Sequence, residues 1–599
     1  MENAMFSFDE LNCFGFQDEF ISTNVVSEST DGGDKGTNGP SYGAQEWRES
    51  AGIDSLCSDY GFYKENLWEQ ELLISSYEEQ ERLQQSFLDC EQFDDFKFNI
   101  LSPPLETCLE EITKLGEIQK GIQEVEPKED KSYPISSESL QLLRSYNKGF
   151  KQLSSGRVIV PINCTPSTIA AGQGLSTEEI IRIAGARFIQ SSCQGVEVAS
   201  IFNNPFYLSS SGLSDEDAKM VKLAESLLAS AEKIGNQQFD CASRLLKQCN
   251  SFSSNEGNPV QRVAYYFAEV LQERIDIEIG RITSKEQWKK QSFDIDKAMT
   301  TPNPTALASH QAIPFCQILH FAGIQAILDN VDDASRIHII DFTLRCGLQW
   351  TVLMQALVSR CECPVELLKI TAIATAWEDL IETTGKRLTA FAQTMNLAFS
   401  FKIVVVSDVL ELKEDLLEID DEEIVAIYSD NLPRSLIALP KRLESIMRMI
   451  KNIIPCVMVV AEIESNQNSP TFLNRFIEAL FFFSAYFDCL DACMERDDSN
   501  RLILEAMYLG KGIRNAIAIE GEEKTIRSRK LDAWRSFYAR FGMVEIDLSS
   551  SSLLQANLIV KKFACGNYCT LNKNGKSLII GWKGTPLHSL SAWKFILEE

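Results

Sequence analysis

The run Arg336-Ile337-His338-Ile339-Ile340-Asp341-Phe342-Thr343-Leu344-Arg345-Cys346-Gly347-Leu348-Gln349-Trp350 begins as a strand and ends as a helix. Its isoleucines surround a single histidine without the alternation of a half-solvated strand, which marks a strand buried on both faces. Gln349, Leu353, Leu357 and Val358 then recur at helical spacing. The alternation continues down the chain. Apolar extended segments at 367–374, 401–406, 424–429 and 456–462 are separated by helical segments around 386–392, at 440–453 and, rich in phenylalanine, at 472–490. Strands alternating with helices predict an α/β domain on a mostly parallel sheet covered on both faces.

The order changes towards the end, where 543–548, a helix and 568–571 lead through Asn574-Gly575 into 577–582. Asn-Gly is a strong two-residue hairpin turn. A parallel sheet finished by an antiparallel hairpin defines the expected class: α/β, Rossmann-like and methyltransferase-like. A nucleotide or S-adenosylmethionine site on such a sheet needs glycines after the first strand, so that backbone N–H groups can approach the ligand. Here Phe342, Leu344 and Arg345 occupy that turn, and Gly347 is its one glycine. The second strand ends Ala374-Thr375-Ala376, with no carboxylate at its tip; Glu378 and Asp379 follow later. The chain has no G-x-S-x-G elbow, no phosphate-binding G-x-x-x-x-G-K-[ST] and no H-E-x-x-H. His338 is the one histidine placed like a base, but no Ser or Cys motif accompanies it, so it reads as a core histidine satisfied by a neighbouring backbone group. Asp341 reads as the cap of the following turn. No catalytic residue, cofactor site or small-molecule substrate is expected. A divergent methyltransferase is the enzyme alternative.

Upstream, 213–330 reads as a helical cap. Ser214 with Asp217 forms a capping-box pattern, followed by Met220, Ala224, Leu227, Leu228, Ala231 and Ile234 at three- and four-residue steps. Phe239, Ala242, Leu245, Leu246 and Cys249 mark a second helix, and Val263, Tyr266, Phe267, Val270 and Leu271 a third, after the break at Gly257-Asn258-Pro259. These stripes fit an intramolecular bundle. A subset, Met220, Leu227, Leu228, Leu245 and Leu246, is the candidate surface for pairing with another chain. The expected division is therefore 1–210, a largely disordered region, and 211–599, a folded domain made of the cap at 213–330 and an α/β core at 331–599. Within 1–210, aromatic residues set among acids recur at 6–20, 60–73 and 87–98. Each island is too short to close a core alone, and helical spacing does not separate docking on this chain from docking on a partner.

The 85 acidic against 57 basic residues give a formal charge of -28, which repels phosphate backbones and anionic membranes. Direct DNA binding, the other alternative, would need a local basic face. The candidate is Arg527, Arg529, Lys530, Arg535 and Arg540, a set that also fits an ordinary solvated helix face because no aromatic platform lies beside it. The 17 cysteines are odd in number and scattered, and the N-terminus lacks a signal-peptide pattern, so reduced thiols are expected. The four histidines and the nearest cysteine spacing, Cys361-Glu-Cys363, do not make a zinc site. No run is long enough to span a membrane.

These residues resemble the GRAS family of plant transcriptional regulators over about 213–599. Ile337-His338-Ile339-Ile340-Asp341 with Gly347-Leu348-Gln349-Trp350 is similar to its V-H-I-I-D signature, flanked by segments similar to its two leucine-rich repeats. Pro455, Glu462, Asn466 and the stretch from Pro470 through Asp488 resemble its P-F-Y motif, and 515–534 its R-E motif. Gly581-Trp582 and Ser591-Ala592-Trp593 match the closing S-A-W motif. The chain departs from the family at Lys524-Thr525-Ile526-Arg527 and at Ala426-Ile427-Tyr428-Ser429-Asp430. Asp9-Glu10-Leu11 lacks the longer run of the DELLA subgroup. The resemblance implies a nuclear regulator of transcription that acts with DNA-binding transcription factors and other GRAS proteins, as homo- or heterodimers, reaching DNA indirectly.

Overall fold

The computed structural model describes residues 136–155, 175–192, 213–282, 304–360, 363–524 and 526–596. The acidic-aromatic islands at 6–20, 60–73 and 87–98 lie outside the described residues. The helices used below are α1 (Ser137–Ser155), α2 (Thr177–Ser192), α3 (Asp215–Gly235), α4 (Phe239–Phe252), α5 (Pro259–Glu278), α6 (Pro314–Leu328) and α7 (Leu348–Val358). They continue as α8 (Glu378–Thr394), α9 (Pro440–Ile453), α10 (Phe472–Cys493), α11 (Leu531–Arg540) and α12 (Ser550–Lys562). The strands are β1 (Arg336–Asp341), β2 (Leu367–Ala374), β3 (Phe399–Val405), β4 (Ile424–Asp430), β5 (Val457–Ile463), β6 (Met543–Ile546), β7 (Cys569–Asn574), β8 (Ser577–Trp582) and β9 (Thr585–Phe595).

They form one sheet in the order β3-β2-β1-β4-β5-β9-β8-β7, with β6 also paired to β9. The first five are parallel, and β9 runs antiparallel to both β5 and β6. The 3-2-1-4-5 order is that of a doubly wound sheet, whose ligand crevice lies outside the carboxyl ends of β1 and β4, where the order reverses. β1 is the central element: Ile337, Ile339 and Ile340 are fully buried, and Ile339 sits in register with Ile370 of β2 and Ala426 of β4. One face of the sheet, bearing Ile340, Ile427, Met458 and Val460, packs on Leu443, Ile446 and Met447 of α9 and on Trp534 and Phe537 of α11. The other face receives α6. Gly323 lets that helix approach closely, since a Cβ there would lie 2.9 Å from the Tyr428 ring. Ser552 of α12 then donates to the Ala322 carbonyl at 2.6 Å, layering α12 on α6.

Helices α3, α4 and α5 form the expected cap. Ser214 accepts from the Asp217 N–H at the start of α3, and Asn258 with Gln261 makes a complete capping box at the start of α5. The cap is clipped to later parts of the chain by buried ion pairs, Arg262–Glu505 at 2.6 Å and Arg514–Glu273 at 2.6 Å. Helix α10 is buried around nearly its whole circumference, which its Phe-rich sequence requires.

Two expected boundaries move. α6, assigned by sequence to the cap, lies on the sheet instead, because its sequence PFCQILHFAGIQAIL is apolar on every side. The expected division at 210/211 is corrected as well. α1 and α2, inside the stretch assigned to disorder, pack on α10: Tyr146 stacks on Phe481 with ring centroids 4.3 Å apart and donates to Glu478 at 2.6 Å. The Thr177 N–H donates to Asp488 at 3.0 Å. Arg182, fully buried, pairs with Glu178 at 3.1 Å and donates to Thr585 of β9 at 2.8 Å. The β9 strand itself, inserted between β5 and β8, was not expected; the sequence suggested a closing hairpin, whereas β7, β8 and β9 form a three-strand meander.

Candidate functional site

The carboxyl ends of β1 and β4 are where a doubly wound sheet would hold a ligand. Phe342 and Leu344 are buried there, and Arg345 bridges across to Asp430 at the end of β4, 3.1 Å away. Asp341 caps the turn as expected: one carboxylate oxygen accepts the Thr343 N–H at 2.9 Å, the other the Trp350 indole N–H at 3.0 Å. Trp350, fully buried, meets the Tyr428 ring edge-on at 5.8 Å. Gly347 adopts φ +69°, and a Cβ on it would lie 2.9 Å from Thr384, so the glycine serves a left-handed turn against α8. Arg387 of that helix donates to the Cys346 carbonyl. Glu378 and Asp379 sit exposed in the first turn of α8, where acids favour the helix dipole, and not at the tip of β2. Side chains span the crevice, and these residues do not fit a nucleotide or S-adenosylmethionine.

His338 is fully buried, its Nε2 2.7 Å from the Thr371 hydroxyl and its Nδ1 2.9 Å from the Glu423 carboxylate, beside Lys369. Its partners are the side chains of Thr371 in β2 and of Glu423 just before β4, not the backbone group expected from sequence. Burial pushes its pKa down to about 4, which leaves a neutral ring joining β1 to β2 and β4. The other signature residues are likewise interior. Ile339 and Ile340 are core, Ala592 is buried in β9, and the Trp593 indole donates to the Ser591 hydroxyl at 2.9 Å while packing on Tyr538 at 4.8 Å. Trp582 is fully buried and donates to Asp488 at 2.7 Å.

The candidate pairing residues divide. Met220, Leu227, Leu228 and Leu246 are buried in the chain's own cap, and Leu245 is half-buried on the outer side of α4, seven residues before the exposed Phe252. A charge at the four buried positions would test folding, not docking. The candidate basic face also breaks up. Arg527 is buried against the Lys524 and Gly521 carbonyls, Lys530 pairs with Glu478, and Arg535 pairs with Glu545 and Asp532. Lys524 of the family departure is also internal, its buried amine donating to the Gln467 and Ala516 carbonyls. Distant partners such as Glu478 and Gln467 carry no local sequence signal, so spacing along the chain could not have identified those contacts.

Several acids are buried in separate parts of the domain. Burial raises Glu462 to about 8 and Asp341, Glu464 and Glu178 each to about 7. The folded state therefore keeps protons that the unfolded chain has released, and these groups reduce stability as pH rises towards 8. The histidines act oppositely: burial lowers His310 to about 3 and His320, His338 and His588 to about 4. The stability they allow is complete above the unfolded value of 6.5 and is lost as pH falls below it. Between about pH 4.5 and 6.5 the acids and the histidines oppose each other, and above 6.5 the acids act alone. Thermal melts are therefore expected to fall from pH 6.5 to 8, and Glu462→Gln should flatten that decline. A variant declining as steeply as the parent would refute the protonated Glu462.

The fold defines a class: a Rossmann-type α/β domain with a helical cap. The GRAS domain family model matches residues 223–594, and the chain belongs to that family. It is 30% identical over 388 residues to the DELLA protein GAI1 of Vitis vinifera, covering 64% of this chain and 63% of that one. It is also 30% identical over 381 residues to the DELLA protein RGL1 of Arabidopsis thaliana, covering 63% and 71%. The match thus spans less than two thirds of the GAI1 relative's length. The solved structure of SCL7 from Oryza sativa superposes with a TM-score of 0.54 at 25% identity, over 62% of this chain and 99% of that one.

Proposed function

We propose that this chain is a plant transcriptional regulator that works in the nucleus by binding proteins: DNA-binding transcription factors on one hand, other GRAS proteins on the other. The observation that carries this reading is the turn after β1, where Phe342 and Leu344 are buried, Arg345 bridges to Asp430 of β4 and the following Trp350 is bonded to Asp341. A scaffold kept after its ligand site is filled fits a binding role better than a catalytic one. The charge of -28, with Arg527, Lys530 and Arg535 bound to internal partners, favours reaching DNA through a basic partner. Pairing with a second GRAS protein is assigned to the outer side of α4, where Leu245 and Phe252 share one helix face. The acidic-aromatic segments in 1–210 are assigned to recruitment of transcription machinery.

Proximity labelling in plant nuclei tests the whole reading. The parent should label DNA-binding factors and GRAS proteins; Leu245→Asp combined with Phe252→Asp should lose the GRAS proteins and keep the others. A nuclear label set without DNA-binding factors, or micromolar binding of S-adenosylmethionine by calorimetry, would overturn it.

A further inference from the structure

Cys493, the last residue of α10, and Cys565, between α12 and β7, are far apart in sequence, yet their sulfurs lie 2.9 Å from each other. That is inside the roughly 3.5–4.0 Å of comfortable non-bonded contact. Cys489, one helical turn before Cys493, is 3.9 Å from it. Cys569, four residues after Cys565, is electrostatically coupled to both Cys565 and Cys493. This grouping carries no local signature because its two halves come from separate elements. Among the described residues no set of three or more His, Cys, Asp or Glu side chains converges as a metal site.

We propose that Cys493 and Cys565 form a modification site, joined as a reversible disulfide by a peroxide. Cys493 is the more accessible of the two and reacts first. Its sulfur attacks the O–O bond of hydrogen peroxide, giving a sulfenic acid and one water. The Cys565 sulfur then displaces the sulfenic hydroxyl, which leaves as a second water with the remaining thiol proton. Two electrons pass from the two sulfurs to the peroxide. The fold already holds the two ends together, so little loop closure remains when the bond forms. The thiols are held protonated, Cys493 chiefly by its contact with Cys489 and Cys565 by its contact with Cys493, with burial adding to both. Isolated attack is therefore slow, and adjacency is what selects this pair. The link would fasten the end of α10, where Asp488 already holds Trp582 of β8 and the Thr177 N–H of α2, to the segment entering β7. In a compartment kept reduced by glutathione it would be transient.

The competing account treats the four thiols as small apolar core groups. Full-length reduced protein treated with graded hydrogen peroxide, blocked with N-ethylmaleimide and digested without reductant separates the two by peptide mass mapping. A cross-linked pair containing Cys493 and Cys565 should accumulate before any other pair, vanish with dithiothreitol and raise Tm by about 5 °C. Cys569→Ser should leave that link intact. Recovery of Cys493 and Cys565 as separate maleimide adducts while other cysteines oxidise would overturn the proposal, as would loss of the link in Cys569→Ser.

Discussion

A chain beginning at residue 211 is expected to lose its monodisperse folded state. Such a chain keeps the whole segment matched by the family model but removes α1 and α2. Leu143, Tyr146, Ile180, Ile181, Ala184 and Phe188 are all buried, and their removal bares the side of α10 that carries Phe481. At roughly 2 kcal/mol for each large apolar side chain, the loss is on the order of 10 kcal/mol. A typical domain is stable by about 5–15 kcal/mol. Polar partners are stranded too. Asn474 loses the Ser139 hydroxyl, Glu478 loses the Tyr146 hydroxyl, and Thr585 loses Arg182 and Glu178. Size-exclusion chromatography and thermal melting of 136–599 against 211–599 measure the effect. If the shorter chain elutes as a monomer and melts at the same temperature, these helices are not part of the domain.

Trp593→Ala is expected to lower stability by about 4 kcal/mol, a truncation of a buried aromatic. In a domain of this size the fall in Tm is roughly 5 °C. Trp593 stands in β9 opposite Met458 of β5 and Glu545 of β6, and its ring contacts Tyr538 of α11. One substitution therefore loosens two strands and a helix. Partner capture should decline only in proportion to the unfolded fraction, whereas a variant that melts like the parent yet binds nothing would make Trp593 a contact residue.

The parallel half of the sheet was readable because its strands are locally encoded. The limits expected for β1, β2 and β8 coincide with those observed, and the turn between β7 and β8 carries Gly575 at φ +60°. β9 was missed because Thr585-Pro-Leu-His-Ser-Leu-Ser contains a proline and few β-branched residues. Its strand character comes from β5 and β8 on either side. α1 and α2 were missed for a related reason. Their buried faces combine apolar side chains with Arg182, Glu178 and Ser139, which reach Thr585 and Asn474 hundreds of positions away. The turn after β1 was legible in part, since its bulky residues and the capping role of Asp341 are encoded locally. The partners of His338, Lys524 and the four clustered thiols depend on tertiary contacts and were not.

The insertion of β9 beside β5 has a consequence for biogenesis. β5 is complete long before the strand that shields it exists; the ribosome must add about 120 residues first, roughly ten seconds of synthesis. During that interval Val457-Met458-Val459-Val460 presents an open row of backbone donors and acceptors, able to template pairing with other nascent chains. Output of native protein in the cell should therefore track chaperone supply at the ribosome more closely than the equilibrium stability of the finished molecule.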